Sequence, residues 1–109
     1  MTVFTIGGNS LDRQICGWLA IVEGPGRGKA FRIYEGKNIV GSNLDCDIVV
    51  ESLEPHHFSI RCEGGIVIIT DLDSDSGTHI NGERILRKEV ENDEIKITAR
   101  DIVFVLKKI

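Results

Sequence analysis

Three groups of residues in this chain have types and spacings that could do chemistry. His56 and His57 are adjacent, with acids and hydroxyls nearby such as Glu54, Ser52 and Ser59, a set suited to acid–base or hydrolytic work. No Gly-x-Ser-x-Gly elbow supplies an activated serine, and no His-Glu-x-x-His run supplies a catalytic metal. An enzyme is therefore not expected. His57 reads as a brace against a neighbouring loop and His56 as an exposed side chain.

Asp71, Asp73 and Asp75 alternate as the carboxylates of a calcium loop do. That loop needs Gly at its sixth position and a bidentate Glu at its twelfth. Counted from Asp71, those positions hold Ser76 and Gly82, so the expected role is capping of turn amides. The third group, Gly24-Pro25-Gly26-Arg27-Gly28-Lys29, resembles a phosphate loop. Its spacing is one residue short, Ala30 replaces the magnesium-binding hydroxyl, and a strand rather than a helix follows. Nucleotide binding is not expected.

The elements that must hold these groups come from a single core, because 109 residues is about the size of one domain. With 41% hydrophobic and 28% charged residues the composition is that of an ordinary soluble protein. A net charge of −4 without a Lys/Arg block argues against nucleic acid. No apolar run approaches the roughly 18 to 20 residues of a membrane span, and no secretion signal opens the chain. A cytoplasmic protein without cofactor or metal is expected. Cys16, Cys46 and Cys62 are odd in number and lack a Cys-x-x-Cys pair, so each reads as a small buried residue in a reduced compartment, outside any disulfide framework.

Short apolar runs alternate with clusters of Gly, Ser, Asp and Asn along the whole chain. Residues 1–14 read as a flexible arm or linker, with one short strand at Val3 to Ile6, and residues 15–109 as the domain. Gly17 to Glu23 forms a strand covered on both sides, with Trp18 in the core. Ala30 to Tyr34, Asn38 to Gly41, Asp47 to Val50 and His57 to Cys62 follow, and in the last Phe58, Ile60 and Cys62 point inward while Ser59 and Arg61 point outward. Glu63-Gly64-Gly65 turns into Ile66 to Thr70, apolar throughout and so placed between two sheets. Asn81-Gly82 marks a tight hairpin, and Val90 to Thr98 and Ile102 to Leu106 close the chain. No helical period appears. The expected fold is all-β: a sandwich of two packed, mainly antiparallel sheets with 10 or 11 short strands.

Specific blocks carry a resemblance. Gly17-Trp18-Leu19, Glu23-Gly24-Pro25, Ile39-Val40-Gly41, Asp47-Ile48-Val49-Val50, His57-Phe58-Ser59-Ile60, Asp71 to Thr78 and Ile80-Asn81-Gly82 follow the order and spacing of the forkhead-associated (FHA) family. The chain resembles this family from Gly17 to about Leu106. The resemblance implies a small β-sandwich of FHA/SMAD-like type that in typical members binds phosphothreonine peptides.

In the family, Gly-Arg ends the third strand, Ser-Arg-x-His follows, and Ser-x-Asn-Gly-Thr precedes the Asn-Gly hairpin. The Arg, the Ser and the first Asn contact phosphate or peptide backbone. Here those positions hold Ser42, Glu54 and Ser76, with Pro55 beside Glu54. A hydrogen bond to a charged group contributes about 1.5 to 3 kcal/mol, so three lost contacts remove roughly 4 to 9 kcal/mol. A micromolar complex has only about 8 kcal/mol in all. Glu54 adds a like charge beside any phosphate, unless a loop Lys or Arg such as Lys37, Arg61 or Arg84 swings in to compensate.

The resemblance therefore implies a non-enzymatic protein-interaction module, of the kind that acts as a scaffold in bacterial secretion or signalling assemblies. Its expected partner is a protein or peptide docked independently of phosphate or with altered specificity. The alternative is an intact phosphothreonine reader. Ser42, Asn43, Glu54, Ser74, Asp75, Ser76, Thr78 and Asn81 are expected to face the partner, with Gly41, His57, Gly77 and Gly82 in support.

Overall fold

The computed structural model describes residues 13–109, so the strand expected at Val3 to Ile6 lies outside the described residues. Among the described residues eleven strands run in chain order: β1 (Ile15–Glu23), β2 (Ala30–Tyr34), β3 (Gly36–Gly41), β4 (Ile48–Val49), β5 (Phe58–Glu63), β6 (Ile66–Asp71), β7 (Thr78–Ile80), β8 (Glu83–Ile85), β9 (Arg87–Val90), β10 (Glu94–Ala99) and β11 (Ile102–Lys108). One sheet has the order β2-β1-β11-β10-β7-β8 and the other β4-β3-β5-β6-β9. Every pairing is antiparallel except β3 with β4, where Val40 and Gly41 lie beside Ile48 and Val49.

Alternation drives the packing. Leu19, Ile21 and Ile33 from one sheet meet Val40, Phe58, Ile60 and Ile69 from the other, all buried. Phe58 and Phe104 meet edge to face across the core, their centroids 5.7 Å apart. Asn38 is also buried. Its amide donates to the carbonyls of Tyr34 (2.9 Å) and Ile60 (3.0 Å), which lets a polar side chain sit under the β2–β3 bend at little cost.

Four expectations are corrected. β1 is covered on one face only: Leu19 and Ile21 are buried, whereas Trp18 is 43% exposed and Val22 39%. An apolar run does not by itself say that both faces are covered, and β6 repeats the lesson, with Ile66 49% exposed while Val67 and Ile69 are buried. Ser59 faces away from Phe58 yet is buried. The long strand expected over Val90 to Thr98 is two strands, because β9 pairs with β6 in one sheet and β10 with β11 in the other.

The fourth concerns the cysteines. Cys16 on β1 and Cys62 on β5 form a disulfide that ties one sheet to the other, and Cys46 alone is a free thiol. Their separation of 46 residues carries no local spacing signal, and only the sandwich brings them together. Among the described residues no helix is long and apolar enough to cross a membrane.

Candidate partner-binding end

The chain changes sheet through residues 72–77, between β6 and β7, and this crossing lies beside residues 42–47 and 50–57. Gly41 starts the assembly. An added Cβ would run into the Pro55 carbonyl, so only glycine lets β3 approach the 54–55 backbone. The approach is locked by Ser42 N–H to Glu54 O (3.0 Å), Asn43 N–H to Pro55 O (3.1 Å) and Val50 N–H to Gly41 O (2.8 Å).

His57 ties these loops to the crossing. It is fully buried, its Nδ1 accepts the Glu54 N–H at 3.3 Å, and its Nε2 lies 2.9 Å from the Gly77 carbonyl. A ring nitrogen that accepts cannot carry the proton, so Nε2–H donates to Gly77 and the tautomer is set. Gly77 has φ of 84°, which suits glycine, and Asp73 and Asn81 also lie in the left-handed region.

Asp71 organises the crossing from within. Its carboxylate accepts the hydroxyls of Ser74 (2.6 Å) and Thr78 (2.7 Å) and the Ser74 N–H (3.2 Å), while Ser74 Oγ accepts the Gly77 N–H at 2.9 Å. Burial pushes the Asp71 carboxyl up, but the Ser74 and Thr78 hydrogen bonds outweigh it and hold the group below its ordinary value. Ser74 and Thr78 are both buried, so their hydroxyls serve the loop rather than the solvent. Asp71 thus caps the turn, and Asp71, Asp73 and Asp75 do not converge on a common point among the described residues.

Glu54 completes the site. Its two carboxylate oxygens accept the N–H groups of Asp75 (2.8 Å) and Ser76 (2.7 Å). These bonds, the Ser76 amide first, lower its carboxyl to about 2, so the group is an anion throughout the neutral range. Two successive amides pointing at one anion make a small oxyanion cradle, and the chain fills it with its own side chain.

The structure thus gathers Gly41, Ser42, Asn43, Glu54, His57, Asp75, Ser76 and Gly77 at one end. Asn81 and Gly82 form the β7–β8 turn, roughly 10 Å further along β7, where the Asn81 N–H binds the Lys96 carbonyl. Of the three cations expected to compensate, Lys37 lies opposite Arg61 at the far end of β3, and Arg61 pairs with Glu63 at 2.9 Å. Only Arg84 reaches the site. Its Nε lies 2.7 Å from where a Cβ on Gly77 would stand.

Sequence reading missed a second cluster at the same end. Asp45 and His56 are in contact, with Oδ1 2.8 Å from Nε2, and the Cys46 thiol, within 4.8 Å of both, donates to Pro55 O at 3.2 Å. His56, expected to be exposed, has its side chain 41% exposed and paired. The nine residues between Cys46 and His56 hid the group, because only the latched loops close that gap.

Two sheets in this order, joined by these loops, define an FHA-type interaction module. The model of the FHA domain family matches residues 38–102, and the chain belongs to that family. It is similar to the FHA domain-containing protein FhaA of Mycobacterium tuberculosis, 26% identical over 81 residues, which are 72% of this chain and 15% of that protein. It is also similar to the glycogen accumulation regulator GarA of Mycolicibacterium smegmatis, 29% identical over 89 residues, 79% of this chain and 56% of that one. The chain therefore spans only 15% and 56% of these relatives' lengths. Among solved structures, Mycobacterium tuberculosis EmbR in complex with a low-affinity phosphopeptide matches with a TM-score of 0.75 at 28% identity, covering 86% of this chain and 24% of that one.

Proposed function

We propose that residues 15–109 form a non-enzymatic module that docks a protein partner through residues 42–45, 52–56 and 74–78 without requiring phosphate, and that residues 1–14 are an arm or linker. Membership of the FHA family supports the interaction role. The observation that carries phosphate independence is Glu54: its carboxylate occupies the Asp75 and Ser76 amides that an incoming oxyanion would need. A phosphate arriving there would meet a fixed negative charge and no Arg at position 42.

Ser42, Asn43, Glu54, Asp75 and Ser76 are the contacts this reading favours, with Gly41, His57 and Gly77 holding them in place. Arg84 beside Gly77 favours a second reading, in which a rearranged pocket still reads phosphothreonine. The cytoplasmic setting rests on the sequence alone, and the Cys16–Cys62 bond weighs against it. Titrating the 15N-labelled chain with phosphothreonine peptides and their unphosphorylated matches separates the two readings. Shifts that are equal for both peptides, or confined to the unphosphorylated set, uphold the first. Phosphate-dependent shifts at Ser42 and residues 74–78 overturn it.

A further inference from the structure

We infer that Asp45, Cys46 and His56 form a binding site for a zinc-class transition-metal ion at the partner-binding end. This site is separate from the Glu54 cradle and does not rest on how phosphate is treated. Three different donors, a carboxylate oxygen, a thiol sulfur and an imidazole nitrogen, lie within 4.8 Å of one another. That mixture of S, N and O is the one tetrahedral zinc takes, with a fourth position left open.

The spacing needs only side-chain movement. Bonds of about 2.0 to 2.3 Å put tetrahedral donors about 3.3 to 3.6 Å apart. Asp45 Oδ1 and His56 Nε2, now at 2.8 Å, must part by about 0.5 Å, and the sulfur must close by at most about 1.5 Å. The backbone that carries them is already held. Asn43 N–H binds Pro55 O (3.1 Å), Ser42 N–H binds Glu54 O (3.0 Å) and Cys46 N–H binds Asn43 O (3.0 Å), so the Asp45-Cys46 pair faces His56 before any ion arrives.

Local charge favours a cation. Asp45 and Asp47 flank Cys46 in the chain, and the Cys46 thiol donates to the Pro55 carbonyl at 3.2 Å. A divalent ion that binds the sulfur displaces the thiol proton to solvent, and Pro55 O still keeps the Asn43 amide. Neighbouring carboxylates do not compete: Asp47 is committed to the Ile39 N–H at 2.8 Å, and Glu54 to two amides. Asp45 and His56 are exposed enough to admit an ion, with side chains 66% and 41% accessible. The open fourth position then faces solvent, where water or a donor from the partner can enter.

The test uses the whole chain with its disulfide intact. Calorimetric titration with Zn2+ should show one equivalent bound, and Co2+ should give a sulfur-to-cobalt charge-transfer band. Cys46→Ser should abolish the band, and His56→Ala and Asp45→Asn should each weaken Zn2+ binding at least tenfold, while His79→Ala leaves it unchanged. Zn2+ should also slow alkylation of Cys46 in the wild-type chain at least tenfold, a measurement independent of whether the variants fold. Absence of the band, binding that survives His56→Ala and Asp45→Asn, or alkylation at an unchanged rate would each overturn the site.

Discussion

Glu54 and Ser76 are joined by a hydrogen bond of 2.7 Å that closes one loop over another, the Ser76 main-chain amide donating to a carboxylate twenty-two positions away. The Asp75 amide beside it binds the other oxygen at 2.8 Å. A carboxylate presents two oxygens much as a phosphate presents two of its own, so the domain carries an internal stand-in for the anion.

Removing that stand-in should expose the cradle. Glu54→Ser frees two donors and deletes a negative charge, and each new bond to phosphate contributes about 1.5 to 3 kcal/mol. Saturable phosphothreonine-dependent shifts should then appear at the Asp75 and Ser76 amides, with apparent affinity at least tenfold above wild type, and Glu54→Gln should fall between. A titration as blank as the parent's would show that the lack of Arg at position 42 decides the matter alone.

Acid should loosen this end of the molecule. Glu54 is held at about 2 against its usual 4.5, and Asp71 is also lowered. A depressed folded-state pKa contributes stability that is fully present above the unfolded value and is lost as pH falls toward the folded value. Urea midpoints should therefore stay level with respect to these groups from pH 7 to about 5, then drop between about pH 4.5 and 2. Glu54→Gln should shallow that drop, and an identical acid profile in the variant would contradict the assignment.

His57 should matter for stability more than its surface neighbours do. Truncation to Ala strips partners from the buried Gly77 carbonyl and from the Glu54 amide, and leaves a void under the loops. A loss of about 2 to 4 kcal/mol is expected in denaturant melts. Hydrogen exchange should quicken at residues 72–77 well before β1. Uniform acceleration across both sheets would mean that His57 serves the core rather than the loops.

The Cys16–Cys62 bond should act at the other end. It closes a 46-residue separation, for which chain entropy gives a stabilisation of up to about 4 kcal/mol. Reduction, or Cys16→Ser, should lower stability by about 2 to 4 kcal/mol while leaving the Asp75 and Ser76 amide shifts in place. Cys62 lies beside Gly36, five residues from Gly41, so the loop end is not its neighbour. A reductant-insensitive melt would show that the two sulfurs are not joined.

Much of the fold was legible because it depends on local pattern. Alternation placed Phe58 and Ile60 inward, and Asn81-Gly82 marked a tight turn that forms with both residues at positive φ. Faces were harder to read. Trp18 and Ile66 sit in apolar runs but are partly exposed, since nothing local records whether a second layer covers the outer side. The splitting of the run from Val90 onward was hidden for the same reason: which strand pairs with which is a long-range outcome.

The candidate site divides along the same line. Residue order alone pointed to an all-β chain, to Ser42, Glu54 and Ser76 at the positions where the family resemblance expects anion contacts, and to the charge that Glu54 brings. Only the tertiary structure decided what that charge does. Read along the chain, Glu54 repels a phosphate; in the folded molecule it is satisfied by two amides more than twenty residues away. Charge and period are properties of neighbours in sequence, whereas partners for an ionised oxygen, for the Cys16 sulfur or for the Cys46 thiol are supplied by whatever the packing of two sheets brings alongside.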